Sequence, residues 1–589
     1  MSLAGALLAV TLTVSPPGDA LELFTTFPPA LETNPTNPDR AFVGISSNGP
    51  GVFELRIAPA QSLDYTNNQY PFPGGFNCSE SSPFNTPNVG GFSLEKGTGA
   101  TRGWLTTSMC ELAVPFDYAT GAGQTLLYAG QSRSAVPTRQ TLTGSFTRYQ
   151  NGGGGAAITS FKTNFTSGVV RVGNRLVVAS SNLQQTGSNP VYNPGTVLFF
   201  TLDDSGSTPA IAPASPFFAI TSDPNPIALS VLPGGRVAVT NAGIFDASFP
   251  PLVTGQGSID IIDPQSGSLV GSIPLGAANP SSALALDPTG SVGVTGSATF
   301  RRLYAVDLRG VDALPAAPVD PRVQRPSCND GSGPSAGGVP CLRSRVVRGG
   351  ANPIVLSPPP GSGGVYSYVP VTRFAPSGDF AAATSYNDGG LALAAFDPRN
   401  LARSHPLLAS RFGPPETLAA TGAAGVIGQE CCPGPLLLRA TGGAGLTTTD
   451  ALFATASPSG FVVRGHLGGS LAPAGGDADG DGVEDALDVC PLAADPGQAD
   501  SGGVGSAAPP DGVGNACQCG DVSDDGHVDV ADVLALRDFL SRPSVPLPAP
   551  QKCDVGSLAG GGCDVLDAAL LRRALAGLAP GIGFGCELQ

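Results

Sequence analysis

The sequence predicts a mainly β chain of repeated four-stranded units that ends in a small α-helical module, and three observations carry the prediction. Glycine (81) and proline (57) make up about 23% of the 589 residues, while charged residues are 13% and aromatics 6%; such a chain is turn-dense and helix-poor. A hairpin pattern recurs between residues 21 and 470. Beyond residue 518 it gives way to aspartate-rich loops followed by apolar residues at helical spacing. At this length several domains are expected, and the boundaries fall at 1–20, 21–470, 471–518 and 519–589.

The stretch LAGALLAVTLTV at 3–14 is an apolar run of signal-peptide length, followed by SPPGDA with small Gly18 and Ala20 where cleavage would fall. The first cation is Arg40, so the basic start of a signal peptide is absent. The run reads as a signal peptide over 1–20, with a buried strand as the other reading. No later stretch reaches the roughly 18 uninterrupted apolar residues of a membrane-spanning helix.

Within 21–470 each repeat is a short apolar strand, a Pro/Gly/Ser turn and a second alternating strand. PIALSVLPGGRVAVTNAG at 226–243 is echoed by SALALDPTGSVGVTGSA at 282–298, VTRFAPSGDFAAATSYNDG at 371–389 and ATASPSGFVVRGH at 454–466. Third strands ending in acidic turns follow several of them, as in IDIIDPQSG at 259–267. With the second strand as marker, units fall at Arg40, Gln124, Asn174, Arg236, Ser291, Asp379 and Phe461. Seven four-stranded units predict a seven-bladed β-propeller, a β-sandwich array being the other arrangement of such strands. The hairpin and Asp-Pro texture, clearest over 220–310, resembles the YVTN family of bacterial surface and secreted propellers. Insertions at 311–366 and 421–447 carry four cysteines and are expected as long loops on one face, where binding surfaces tend to sit.

Residues 477–500, DADGDGVEDALDVCPLAADPGQAD, hold Asp477, Asp479, Asp481, Asp485 and Asp488 around Gly480 and Gly482; PPDGVGNAC closes the segment at Cys517. So few apolar residues cannot build a core, and ions with a disulfide must organise the stretch. The pattern over 477–517 resembles a thrombospondin type 3 repeat, which implies bound calcium.

The most specific signal is CGDVSDDGHVDVADVLALRDFL at 519–540. A calcium loop of the EF-hand kind needs oxygen ligands at alternating positions and a glycine at its sharp turn. Asp521, Ser523, Asp525, Asp529 and Asp532 supply side-chain oxygens, His527 supplies its carbonyl, and Gly526 takes the turn. A second copy at 553–578 keeps the helix start, with Asp564 and Asp567 matching Asp529 and Asp532, but Gly556 and Leu558 offer no carboxylate. Cys553 and Cys563 bracket its loop, and a bridge between them would contribute roughly 2 to 4 kcal/mol in place of an ion. Two tandem loop–helix units over 519–586 resemble a type I dockerin, which implies calcium and a cohesin partner. The hydroxyl pairs of that family are replaced by Val530 and Ala531 and by Val565 and Leu566. That apolar pair of helix starts is expected to dock within its own chain or on a partner other than a conventional cohesin.

Twelve cysteines in local clusters, without zinc-ligand spacing, point to an oxidising compartment. Expected pairs are Cys78 with Cys110, Cys328 with Cys341, Cys490 with Cys517, Cys519 with Cys586 and Cys553 with Cys563, leaving adjacent Cys431 and Cys432. The net charge of −16 argues against nucleic acid or an anionic membrane as partner. No catalytic constellation stands out. His405 and His466 lie outside any motif, Ser335 in GPSAG lacks the strand–helix setting of a nucleophile elbow, and Asp203–Asp204 reads as a solvated turn. The expectation is a secreted or cell-surface, bacterial-type calcium-binding protein whose propeller binds protein or glycan and whose last module serves attachment. The rival is an extracellular hydrolase or lyase acting on polysaccharide, tethered by that module.

Overall fold

Short apolar strands stopped by glycine- and proline-bearing turns favour antiparallel meanders, in which sequential strands are neighbours. Pro226–Val231 meets Val237–Asn241 across the turn LPGG, where Gly235 takes a φ of 88° and its N–H donates to the Leu232 carbonyl. Gly257–Asp263 and Ser268–Gly276 complete that four-stranded sheet in sequence order. The computed structural model describes residues 11–576 apart from intervening stretches, the longest being 72–88, 119–135, 245–256, 329–338, 356–371, 412–432 and 469–478.

The same plan repeats along the chain. A first sheet spans 31–71, a second 89–137, a third 166–220, a fourth 226–276, a fifth 285–355 and a sixth 372–411. A closing sheet takes Pro433–Ala440, Thr449–Thr455 and Phe461–Gly468, and its outer edge is filled from the start of the chain. Thr11–Thr13 pairs with residues 466–468, and Ala20–Glu22 pairs with residues 461–463. Some of the run that reads as a signal peptide is thus paired here as a strand.

Successive sheets share apolar layers. Phe42, Val52 and Tyr70 of the first sheet pack with Leu105, Val114 and Phe116 of the second. Val177 and Phe199 of the third meet Val237 and Val239 of the fourth, and Ile259 and Ile261 of the fourth meet Tyr304 and Val306 of the fifth. Val294 and Leu303 pack on Ala381 and Ala383 of the sixth, whose Thr384 hydroxyl donates to the Gly434 carbonyl of the closing sheet. Leu437, Leu452 and Val462 then return to Leu31, Val43 and Leu55 of the first. Four-stranded sheets packed face to face in a closed circuit are a β-propeller.

Two markers shift. Gln124 lies outside the described residues, and the second sheet is built at 89–137 around Arg102–Thr107 and Leu112–Asp117. Phe461 opens the third strand of its sheet, not the second, because the outermost strand comes from the other end of the chain. A portion of the insertion after the fifth sheet's Arg302–Asp307 strand, held by the Cys328–Cys341 disulfide, folds back over its neighbours. Gln324 bonds Thr147 in both directions, the Pro321 carbonyl accepts from Ile220, and Ser272 exchanges bonds with Pro340 and Leu342.

The connection from the third sheet into the fourth is held by a buried carboxylate. Asp260, 0% exposed, accepts from the Ser222 N–H (2.8 Å) and hydroxyl (2.5 Å) and from the Asn241 amide (2.9 Å). Burial pushes its carboxyl up against these donors. Asp260→Ala strands the Ser222 and Asn241 donors and is expected to cost about 2–4 kcal/mol. The raised carboxyl binds its proton more tightly in the folded protein than in the unfolded chain. Its contribution is therefore fullest at acid pH and falls as pH rises through the raised range. Thermal unfolding followed as pH rises from the ordinary carboxylate range should show this slope flattened in Asp260→Asn.

Candidate metal centre

The Asp-rich segment folds around a core of Val489, Cys490, Val513 and Cys517, with the Cys490–Cys517 disulfide at its centre. Gly480 and Gly482 take left-handed φ values of 78° and 92°, which let the chain turn its aspartates inward. Among the described residues, the carboxylates close enough to share an ion are Asp479, Asp481 and Asp488, whose ligand oxygens lie within 4.8 Å of one another. Asp477 and Asp485 lie outside the described residues.

Each carboxylate is aimed by local bonds. Asp479 accepts from the Asp481 N–H, Asp481 accepts from Val483 and Asp495 (2.8 Å each), and Asp488 accepts from the Cys490 N–H (2.7 Å) and the Gln498 amide (2.6 Å). Asp488 is 7% exposed, and its second oxygen is buried without a proton donor. Asp495 Oδ2 is in the same position, and burial together with the charges of Asp488 and Asp481 pushes the Asp495 carboxyl up. A buried carboxylate oxygen without a donor, set beside two further carboxylates, is suited to a cation. A donor set made wholly of oxygen suits a hard ion such as calcium.

The 521–532 loop solves its charge differently. Asp521, 0% exposed, accepts from the N–H groups of Asp525 (3.0 Å) and Gly526 (3.1 Å), with Gly526 at φ 86°. The helix α1 (Val530–Ser541) begins with a capping box in which Asp529 caps the first turn and Asp532 accepts the Asp529 N–H at 2.7 Å. Asp532 also accepts from the Ser523 N–H (2.9 Å), and Asp525 accepts from the His527 N–H (3.0 Å). Burial, with Asp521 nearby, pushes the Asp532 carboxyl up. The second copy repeats the plan without an acidic loop: α2 (Val565–Leu575) is capped by Asp564, and Asp567 accepts from Asp564 (2.7 Å) and Val555 (3.0 Å). Leu536 and Leu571 then pack between the helices with Val522, Val528 and Val555.

Lys552 is the residue that sequence reasoning missed. It is 1% exposed, and its ammonium donates to Asp524 (2.6 Å), Asp521 (3.2 Å) and the Asn515 carbonyl (2.7 Å). A cation from the lead-in to the second repeat therefore sits against the first residue of the loop and ties it to the Asp-rich segment. Val504 bridges to Val528, and Asn515 bonds Ser501 beside Gly526, so segment and module share a contact surface. The only signal was rarity, since Lys552 is one of three lysines in the chain.

The disulfides Cys328–Cys341, Cys490–Cys517 and Cys553–Cys563 are formed, and Cys110 and Cys519 are also disulfide-bonded. Cys78, Cys431, Cys432 and Cys586 lie outside the described residues. The helix starts, expected to dock within the chain or on a partner other than a conventional cohesin, are open among the described residues, with Val530 59%, Val565 74% and Leu566 56% exposed. Contact with the Asp-rich segment runs through the loop instead, because Val528 faces it. Asp204 is no solvated tip; it pairs with Arg102 and Arg171 across two sheets. His466 Nδ1 lies 2.7 Å from Asp450 Oδ1 on the neighbouring strand. No helix among the described residues is long and apolar enough to cross a membrane.

No protein-family model and no curated protein matches the sequence. Solved structures of similar path include the Cps50 (Swd1) β-propeller domain of Myceliophteria thermophila, at 9% identity and a TM-score of 0.41, covering 76% of this chain and 99% of that one. Chaetomium thermophilum Sqt1, bound to the N-terminus of ribosomal protein L10, gives 12% identity and 0.38 over 74% and 86%. A 6-phosphogluconolactonase-like protein of Bacteroides uniformis gives 13% and 0.35 over 64% and 83%. The propeller assignment stands on the sheets themselves.

Removing Lys552 leaves Asp521 buried with its charge uncompensated, and breaking such a pair typically costs about 3–5 kcal/mol. Lys552→Met in the full chain is expected to speed protease cleavage between residues 517 and 564 in EDTA while leaving the propeller resistant.

Proposed function

We propose that this is a secreted or cell-surface calcium-binding protein. Its seven-bladed propeller binds a protein or glycan, and its C-terminal module serves attachment or assembly. Seven sheets of four or five strands among the described residues support the blade count. Disulfides distributed through the propeller, the Asp-rich segment and the helical module support an oxidising location. The observation that carries the calcium reading is the buried, donor-free oxygen of Asp488 beside Asp479 and Asp481. On this reading the ion neutralises a segment too poor in apolar residues to fold on its core alone, and affinity becomes folding stability. Loop residues Asp521, Ser523, Asp525, Asp529 and Asp532, with the His527 carbonyl, form a second candidate calcium site, of the dockerin kind.

Calcium titration of the full chain by calorimetry tests both sites. Asp488→Asn is expected to remove one bound ion and lower the unfolding midpoint only when calcium is present. Asp525→Ala is expected to remove the loop ion. An unchanged stoichiometry in both variants would overturn the calcium reading. A glycan and protein array probed with the full chain identifies the propeller partner.

A further inference from the structure

We infer that the propeller carries an anion-binding cleft at one end of its first sheet, suited to the carboxylate of an acidic oligosaccharide. The cleft has a volume of about 670 Å³ and is lined by Arg40, Arg56, Gln61, Ser62, Leu63 and Asp64.

Two features make it a built site. The first is a carboxylate that aims one arginine. Glu54 is 1% exposed and accepts at 2.8 Å from each of Asn34, Thr66, Asn68 and Arg40 Nη1. Arg40 spends one nitrogen on this anchor, and the rest of its planar fork remains for a ligand. Arg56, on the adjacent strand, is exposed and has no ion-pair partner among the described residues. Two guanidiniums thus stand side by side on a chain of net charge −16.

The second is a pinned lip. Residues 57–63 join two strands of the first sheet and would be free to sway if held only at their ends. Buried Arg464, from the closing sheet, donates to the carbonyls of Ala58, Pro59 and Gln61. Arg439, from the same sheet, donates to the Ile57 carbonyl and to Asp39. Leu63 is packed beneath, with Leu23 and Leu55. A groove whose wall is fixed by a neighbouring sheet presents its polar groups without an ordering cost at binding.

The lining selects the ligand class. The arginines are donors for a carboxylate. Asp64 is an acceptor, and Gln61 and Ser62 both donate and accept. A sugar acid offers one carboxylate and several hydroxyls, which fits that mixture. An acidic peptide offers carboxylates without the ring of hydroxyls that Gln61, Ser62 and Asp64 would engage. Among the described lining residues there is no exposed apolar or aromatic anchor, such as a protein interface uses at its centre.

This assignment rests on the reading of the propeller as a binding surface, and the test separates the two. Oligogalacturonate, its methyl ester and a neutral oligosaccharide are titrated into the full chain by calorimetry in EDTA, so that calcium plays no role. Oligogalacturonate is expected to bind, with affinity falling as salt rises, and the methyl ester to bind at least about tenfold more weakly. Arg56→Gln is expected to weaken oligogalacturonate binding at least about tenfold, and Arg56→Lys to recover some of the loss because charge returns without the fork. Absence of oligogalacturonate binding, or binding that ignores Arg56→Gln, overturns the cleft. Neutral oligosaccharide bound equally by wild type and Arg56→Gln would also overturn it while leaving the glycan-binding propeller standing.

Discussion

The circuit of sheets closes through residues far apart in sequence: Leu437, Leu452 and Val462 of the closing sheet pack on Leu31, Val43 and Leu55 of the first, and Ala20–Glu22 pairs with the strand Phe461–Gly468. Leu23 follows it into the core at 0% exposure and donates its N–H to the Gly460 carbonyl at 2.9 Å. Without that strand the closing sheet would present an open edge of unpaired amides. The closing sheet would still meet the first through Leu437, Leu452 and Leu31, but its outer rim would be bare. Ring closure therefore rests on contacts of extreme sequence separation, which carry a high loop-closure cost.

Around that closure, arginine does the joining between sheets. Arg439 pairs with Asp39, Arg171 with Glu95 and Arg102 with Asp204, each between neighbouring sheets, and Arg373 of the sixth sheet reaches Glu32 of the first. Arg236 donates to the carbonyls of Val311 and Leu314 at the start of the insertion. A guanidinium can serve several acceptors at once and keeps its charge where it is half-buried. Exposed pairs of this kind contribute little individually, but placed between sheets they fix how adjacent blades face one another. The wall of the Arg40–Arg56 cleft is a product of this habit: Arg439 and Arg464 hold a turn that belongs to another sheet.

Much of the fold was legible because its signal is local. Hairpins at 226–243 and 282–298 announce themselves through alternation and turn residues, and the structure builds sheets there. The marker of the second unit, Gln124, lies outside the described residues, and the strands that carry this sheet, Arg102–Thr107 and Leu112–Asp117, were passed over because they meet at a turn without proline or glycine, with Glu111 at φ 56°. The last unit was read one strand out of step because no local pattern reveals that a strand arrives from residue 20. At the candidate metal centre, aspartate spacing located Asp479, Asp481 and Asp488. It could not show that Gln498 and Cys490 would occupy one oxygen of Asp488 and leave the other bare. Lys552 was invisible for the same reason as the closing strand: its partners Asn515, Asp521 and Asp524 are distant in sequence, and a buried charge carries no pattern.

The insertion after the fifth sheet's Arg302–Asp307 strand gives the molecule a mechanical asymmetry. Gln324 reaches Thr147, Pro321 reaches Ile220, and Pro340 and Leu342 reach Ser272, so one disulfide-closed strap touches the region before the third sheet, the third sheet and the fourth. Sheets joined by such a strap cannot separate singly. In amide hydrogen exchange the 141–276 region should behave as a single cooperative unit, opening only when the strap lets go. The seam of easiest opening is thereby moved elsewhere on the ring, and reduction of Cys328–Cys341 would change which region of the protein breathes first.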